Sequence, residues 1–150
     1  MRLTQSLAVC CGVVPRGRLE QVLETLTGNM GPDFYPVTLS HSIFKYEALL
    51  RLPARYARFV FGQVADIFGA MLYKDATTFW ETSDGASAFD NAGSLCHAWS
   101  AIPAYLYLRY IADSRGEGGA LPGTLTGIYE PRLRRFADAS RRITDDCWPK

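Results

Sequence analysis

Leu19-Glu20-Gln21-Val22-Leu23-Glu24-Thr25-Leu26-Thr27-Gly28 is the stretch on which the fold class turns. Leu19, Val22, Leu23 and Leu26 recur at i, i+3, i+4 and i+7, so a helix here carries one apolar stripe with Glu20, Gln21 and Glu24 off it. Gly28 follows the last periodic residue and suits the left-handed conformation that closes a helix. Upstream, residues 3–14 are apolar with small side chains and read as a helix buried on most sides, interrupted by Pro15-Arg16-Gly17. Downstream, residues 29–37 carry two prolines and a glycine and read as a loop. A helix resumes over residues 39–50, with Ile43, Phe44, Ala48 and Leu49 as its apolar positions. Lys45 and Glu47 read as surface or inter-helix pairs beside Tyr46, and His41 as structural or exposed. Pro53 opens the next helix, in the first turn, where its missing N–H costs nothing. That helix carries Tyr56, Phe59, Val60, Val64, Ile67, Phe68 and Met71 as its stripe.

Composition sets the outer limits. The chain has 150 residues, 48% of them hydrophobic, 21% charged and 13% aromatic. That suits one domain with a sizeable core and excludes a disordered tail. Sixteen Lys and Arg against 15 Asp and Glu leave a net charge of +1, with no overall pull toward nucleic acid or acidic lipid. The longest uncharged run, residues 91–108, falls short of the about 20 mostly apolar residues of a spanning helix and reads as a buried one. The first residues show no charged segment followed by a long apolar one, so no secretory signal and no membrane partner are expected, and a cytoplasmic location is. Cys10, Cys11, Cys96 and Cys147 form no Cys-x-x-Cys pair, which argues for free thiols rather than a disulfide scaffold or zinc site. With two histidines far apart in sequence, no metal site is expected; no cofactor is expected either.

Residues 73–93 break the helical pattern, and so long a connection in a compact domain is often functional. A last strong helix is expected over residues 94–112, kinked at Pro103. Beyond it Gly116, Gly118, Gly119, Pro122 and Gly123 mark a linker. Residues 124–129 suit a short strand, and residues 132–143 a basic helix whose arginines are offset by Asp138, Asp145 and Asp146. The organisation is therefore two parts, 1–113 and 114–150, and the class is all-α, built of antiparallel helical hairpins.

The densest constellation of chemistry lies between Thr77 and Trp99. Thr77-Thr78-Phe79-Trp80-Glu81 joins a carboxylate to two aromatic rings in a loop. Gly93-Ser94-Leu95-Cys96-His97-Ala98-Trp99 opens the expected last helix, with His97 in its first turn. Aromatic faces pack on the C–H faces of sugar rings while carboxylates accept hydrogen bonds from hydroxyls. A carboxylate in low polarity also moves toward the range of a general acid or base. The same features have plainer readings. Glu81 suits a loop carboxylate or an anion at a helix start, Trp80 and Trp99 suit a core, and His97 suits a satisfied core histidine. Asp84 and Asp90 fit hydroxyl binding and turn chemistry equally, and Asp90 or Asn91 suits a cap for the following helix.

Together, Thr77-Thr78-Phe79-Trp80-Glu81 and Gly93-Ser94-Leu95-Cys96-His97-Ala98-Trp99-Ser100-Ala101-Ile102-Pro103 resemble the C-terminal half of the catalytic domain of bacterial α-L-rhamnosidase-like glycosidases. These are six-hairpin glycosidases with an (α/α)6 toroid, and the resemblance covers roughly residues 3–113. It implies that Glu81 is the general base of an inverting hydrolysis and that Trp80 and His97 contact substrate, a rhamnoside-type carbohydrate. Thr82-Ser83-Asp84 follows the glutamate where the family often has basic or aromatic residues. No stretch matches the family's acid motif, and Glu47 and Asp33 are the upstream acids in plausible settings. Twelve helices need roughly 300 residues. The expectation is thus a partial toroid, a glycosidase fragment with the base loop and without the acid. The alternative is a non-catalytic sugar-binding or assembly module that pairs with another chain through exposed helix faces. A terpenoid-cyclase-like toroid is a weaker option, since its aspartate-rich motif is absent.

Overall fold

The computed structural model describes residues 2–28 and 37–112. Among them the regular structure is all helical, with no strand. The expected strand and basic helix beyond residue 113, and most of the 29–37 loop, lie outside the described residues. The chain divides into two compact units, the first ending at Pro103.

In the first unit, α1 (Arg2–Cys10), α2 (Leu19–Thr27), α3 (Ser42–Leu49) and α4 (Pro53–Leu72) make the core. Helix α1 packs chiefly on α3 and also on α2, and α3 packs on α4. Leu23 and Leu26 of α2, Tyr46 and Leu49 of α3, and Val60, Phe61 and Val64 of α4 are fully buried. Burying one such leucine or valine contributes about 1.5–3 kcal/mol. Polar ties cross the seams: the Thr25 hydroxyl donates to Gln5 Oε1 at 3.1 Å, and the Arg51 guanidinium donates to the Cys10 carbonyl at 3.0 Å. On the surface Arg55 of α4 reaches both Glu20 and Glu24 of α2.

Helix ends depart from expectation for identifiable reasons. Helix α1 stops at Cys10, before Val14, because Gly12 takes a φ of +72°. Gly12 N–H then donates to the Val9 carbonyl and Val13 N–H to the Ala8 carbonyl, which closes the helix in a Schellman motif. Gly28 is extended rather than left-handed. Its carbonyl accepts a hydrogen bond from Arg2, and the Thr27 hydroxyl satisfies the Glu24 carbonyl instead. Helix α4 closes as α1 does, with Asp75 left-handed at φ +58° and Ala76 N–H donating to the Met71 carbonyl at 3.1 Å.

Two sequence expectations are corrected. The buried residues of α3 are Ser42, Lys45, Tyr46, Ala48 and Leu49, so Ala48 and Leu49 lie inward as expected while Ile43 and Phe44 are only half-buried. Lys45 is therefore no surface residue; of its two expected roles it takes the inter-helix one, donating to Gln63 of α4. The helix expected over 94–112 begins only at α6 (Ile102–Tyr107), which runs into a π-helical turn, Leu108–Ala112. Pro103 thus sits in a first turn, where it removes no helical hydrogen bond and makes no kink. Between α4 and α6 the chain forms only short turns. One is α5 (Ala88–Asn91), in which Phe89 and Asp90 have left-handed dihedrals. Asn91 is left-handed as well, so neither Asp90 nor Asn91 caps a following long helix.

Candidate functional site

The site is built on two non-helical segments that pair. Glu81 N–H donates to the Ser94 carbonyl at 2.9 Å, and His97 N–H donates to the Phe79 carbonyl at 2.8 Å. The partners run in opposite directions, so residues 79–81 and 94–97 lie antiparallel. The Thr78 hydroxyl adds a bond to the Leu95 carbonyl. This pairing is why residues 94–97 do not join the helix: the Ser94 and Leu95 carbonyls and the Ser94 and His97 N–H groups are taken up across the loop, and residues 98–100 then form a single 3-10 turn.

The pairing positions Glu81. Its side chain is half-buried, and Oε2 accepts the Ser94 N–H at 3.2 Å. Oε1 has no hydrogen-bond partner among the described residues. One carboxylate oxygen is thereby held by the backbone, and the other keeps its acceptor capacity. The Ser94 hydroxyl turns away, bridging the N–H and carbonyl of Cys96 at 3.2 and 3.0 Å. Ser94 is the neighbour of Glu81 that side-chain reasoning missed. Its contribution is an amide, which any residue but proline supplies, so its identity carried no signal.

The core placement that suits both tryptophans in the sequence describes Trp80 and not Trp99. Trp80 is 8% exposed and Trp99 78%. A core suits Trp99 only on a helix over residues 94–112; in the 3-10 turn that it occupies no such helix face exists. Trp80 lies under the loop. A Cβ added to Gly85 would stand 2.8 Å from both Cε3 and Cζ3 of its indole, and Lys74 Nζ lies 5.9 Å from the ring centroid. Gly85 itself has a φ of +62°, so two constraints select glycine there.

His97 is half-buried with an extended backbone, φ −133° and ψ 98°, and is not in a helical first turn. The structure brings Trp80, Glu81 and His97 to one paired loop through their backbones. Asp84 is exposed, and its carbonyl accepts the Ser87 hydroxyl at 2.8 Å. A cleft of about 290 Å³ opens beside the same loop, lined by Phe68, Met71, Leu72, Thr78, Phe79 and Pro103 among others. Neither Glu81 nor His97 lines it, so the cleft and the carboxylate are separate features.

No family model, curated protein or solved structure matches the chain.

Proposed function

We propose that residues 77–103 form the general-base half of an α-L-rhamnosidase-like sugar site on a partial (α/α)6 ring, and that this chain alone does not supply the general acid. The observation that carries the reading is the union of two motifs, separated in sequence by residues 82–92, into one antiparallel loop that fixes a half-buried carboxylate. In this reading Glu81 accepts a proton from water as its oxygen attacks the anomeric carbon. His97 borders the sugar, and Trp80 supports the loop from beneath.

Inverting hydrolysis needs a second carboxyl about 6.5–9.5 Å away to protonate the leaving oxygen. Neither Glu47 nor Asp33 belongs to an acid motif of the family. The expected ligand is therefore bound but not cut. The proposal includes a cytoplasmic setting, supported by the free thiols of Cys10, Cys11 and Cys96. No helix among the described residues is long and apolar enough to cross a membrane.

The test is to titrate the 150-residue chain with L-rhamnose while following backbone amides by NMR, and to assay aryl rhamnosides in parallel. Shifts confined to residues around 79–82 and 94–98, with negligible turnover, are expected. Absence of any shift overturns the sugar reading. Robust turnover abolished by Glu81→Gln overturns the missing acid.

A second reading, an assembly module, is favoured by the exposure of Tyr73 (93%), Leu72 (70%) and Trp99 around the same connection. Large apolar side chains left in water favour association with another chain.

A further inference from the structure

We propose that Trp80, Gly85 and Gly93 form a positioning stack whose task is to hold the Ser94 amide on the Glu81 carboxylate. This rests on the reading of Glu81 as a general base, but its geometry can be tested without sugar.

The stack is continuous. The Trp80 indole lies so close to the Gly85 backbone that a Cβ there would meet two ring carbons at 2.8 Å. The Gly85 carbonyl oxygen lies against Gly93, where a Cβ would come within 2.0 Å of it and 3.0 Å of Ala88 Cβ. A distance of 2.0 Å to a backbone oxygen is far inside van der Waals contact, and a backbone atom cannot swing away as a side-chain end does. The residue after Gly93 is Ser94, whose N–H reaches Glu81 Oε2 and whose carbonyl takes the Glu81 N–H. The carboxylate and the indole are neighbours in sequence, so the stack starts at Trp80 and returns to Glu81 as a closed circuit.

The circuit explains three features together. An aromatic residue is needed at 80 because a flat face must cover a glycine backbone. Glycine is needed at 85 for its left-handed φ and for the ring, and at 93 for the carbonyl. Gly93 N–H is itself anchored on the Ala88 carbonyl at 2.9 Å, so the 93–94 peptide is fixed from both sides. A base acts efficiently only when its free lone pair is held in one direction. Here one oxygen is tied to an amide that cannot rotate away, which orients the other. Trp80 is on this account a positioning residue and not a sugar platform, in keeping with its burial.

The test reads the Ser94 amide proton by NMR while pH is lowered through the titration of the carboxylates. An amide bonded to a carboxylate moves as that group takes a proton. In the wild type the Ser94 amide is expected to move with Glu81, and in Glu81→Gln to stay still. Gly93→Ala and Trp80→Ala are expected to lose the shift, and Trp80→Phe, which keeps a flat ring, to retain it. The amides of Leu26 and Val60 in the helical core report the fold and should not change. Retention of the Ser94 shift in Gly93→Ala or Trp80→Ala overturns the proposal. So does collapse of the Leu26 and Val60 signals in both variants, since the stack would then hold the fold and not the site. If L-rhamnose leaves the wild type untouched while the Ser94 pattern is as expected, the sugar reading fails and the positioning stack stands.

Discussion

Lys45 has a neutral partner where a buried cation would want an anion. It is 9% exposed, and its ammonium donates to Gln63 Oε1 of α4 at 2.7 Å. The rings of Phe59 and Tyr46 lie 5.3 and 5.9 Å away and attract the charge weakly. Burial, with repulsion from Arg2 second, lowers the amine from its ordinary 10.5 to about 8. Below pH 8 both folded and unfolded chains carry the proton, and the cost of burying it is fully present. Between about pH 8 and 10.5 the folded chain has released the proton while the unfolded chain still binds it, so this group makes stability rise with pH. Tyr46 opposes it toward the top of that window. Burial raises its phenol above the ordinary 10.0, and an unfolded tyrosine that ionises first draws the chain open. The Cys10 thiol, raised chiefly by burial, acts in the same opposing sense from about 9. The Lys45 contribution is therefore read as a difference between proteins. Urea midpoints of wild type and Lys45→Met should differ in the variant's favour at pH 7, and the gap should narrow by pH 9. A gap that is constant or widens with pH would refute the account. The same residue shows why part of the core was not legible: the inward stripe of α3 holds a serine and a lysine, and a search for apolar periodicity necessarily passes over both.

At the scale of elements, backbone conformation and not available space decides what a glycine is worth. Gly12 and Gly62 both have nothing within 4 Å of an added Cβ. Gly62 lies inside α4, where alanine is the better helix former by about 0.5–1 kcal/mol. Gly12 closes α1 at φ +72°, where an L side chain costs about 1–2 kcal/mol. Gly62→Ala should thus raise the midpoint of denaturant unfolding and Gly12→Ala lower it, with circular dichroism unchanged in both. Equal shifts would mean that local sterics or the denatured state, and not φ, set the sign. Elements formed by local pattern were open to sequence reading. Helix α2 follows the spacing of Leu23 and Leu26, and α4 follows Pro53 at its start and Val60, Val64, Phe68 and Met71 along its stripe. The segment at residues 94–101 was not, because its backbone is captured by Phe79 and Glu81, a non-local pairing that leaves no periodic trace. Of the candidate site, the two motifs and their carboxylate could be found by eye. That the holding group is the Ser94 amide, and that the indole faces inward, follow from a chain crossing no spacing rule describes.

At the scale of the molecule, the balance between charge and exposed apolar surface bears on how chains meet. A net charge of +1 gives almost no long-range repulsion between copies. Leu72 at the end of α4, and Tyr73 and Trp99 in the stretch between α4 and α6, each stand more than two-thirds exposed. An apolar contact of this kind strengthens with a kosmotropic salt such as ammonium sulfate, whereas contact between charged faces weakens as salt rises. The weight-average mass by sedimentation equilibrium should therefore increase with concentration and increase further with sulfate. Leu72→Gln combined with Trp99→Ser should reduce both increases while leaving the unfolding midpoint nearly unchanged, because neither side chain contributes to the core. If mass rises but falls again with salt, the association is electrostatic and these side chains are not its cause. If the chain stays a single copy throughout and L-rhamnose gives no thermal shift either, the assembly and sugar-site readings fail together, and the exposed indole of Trp99 is then only surface.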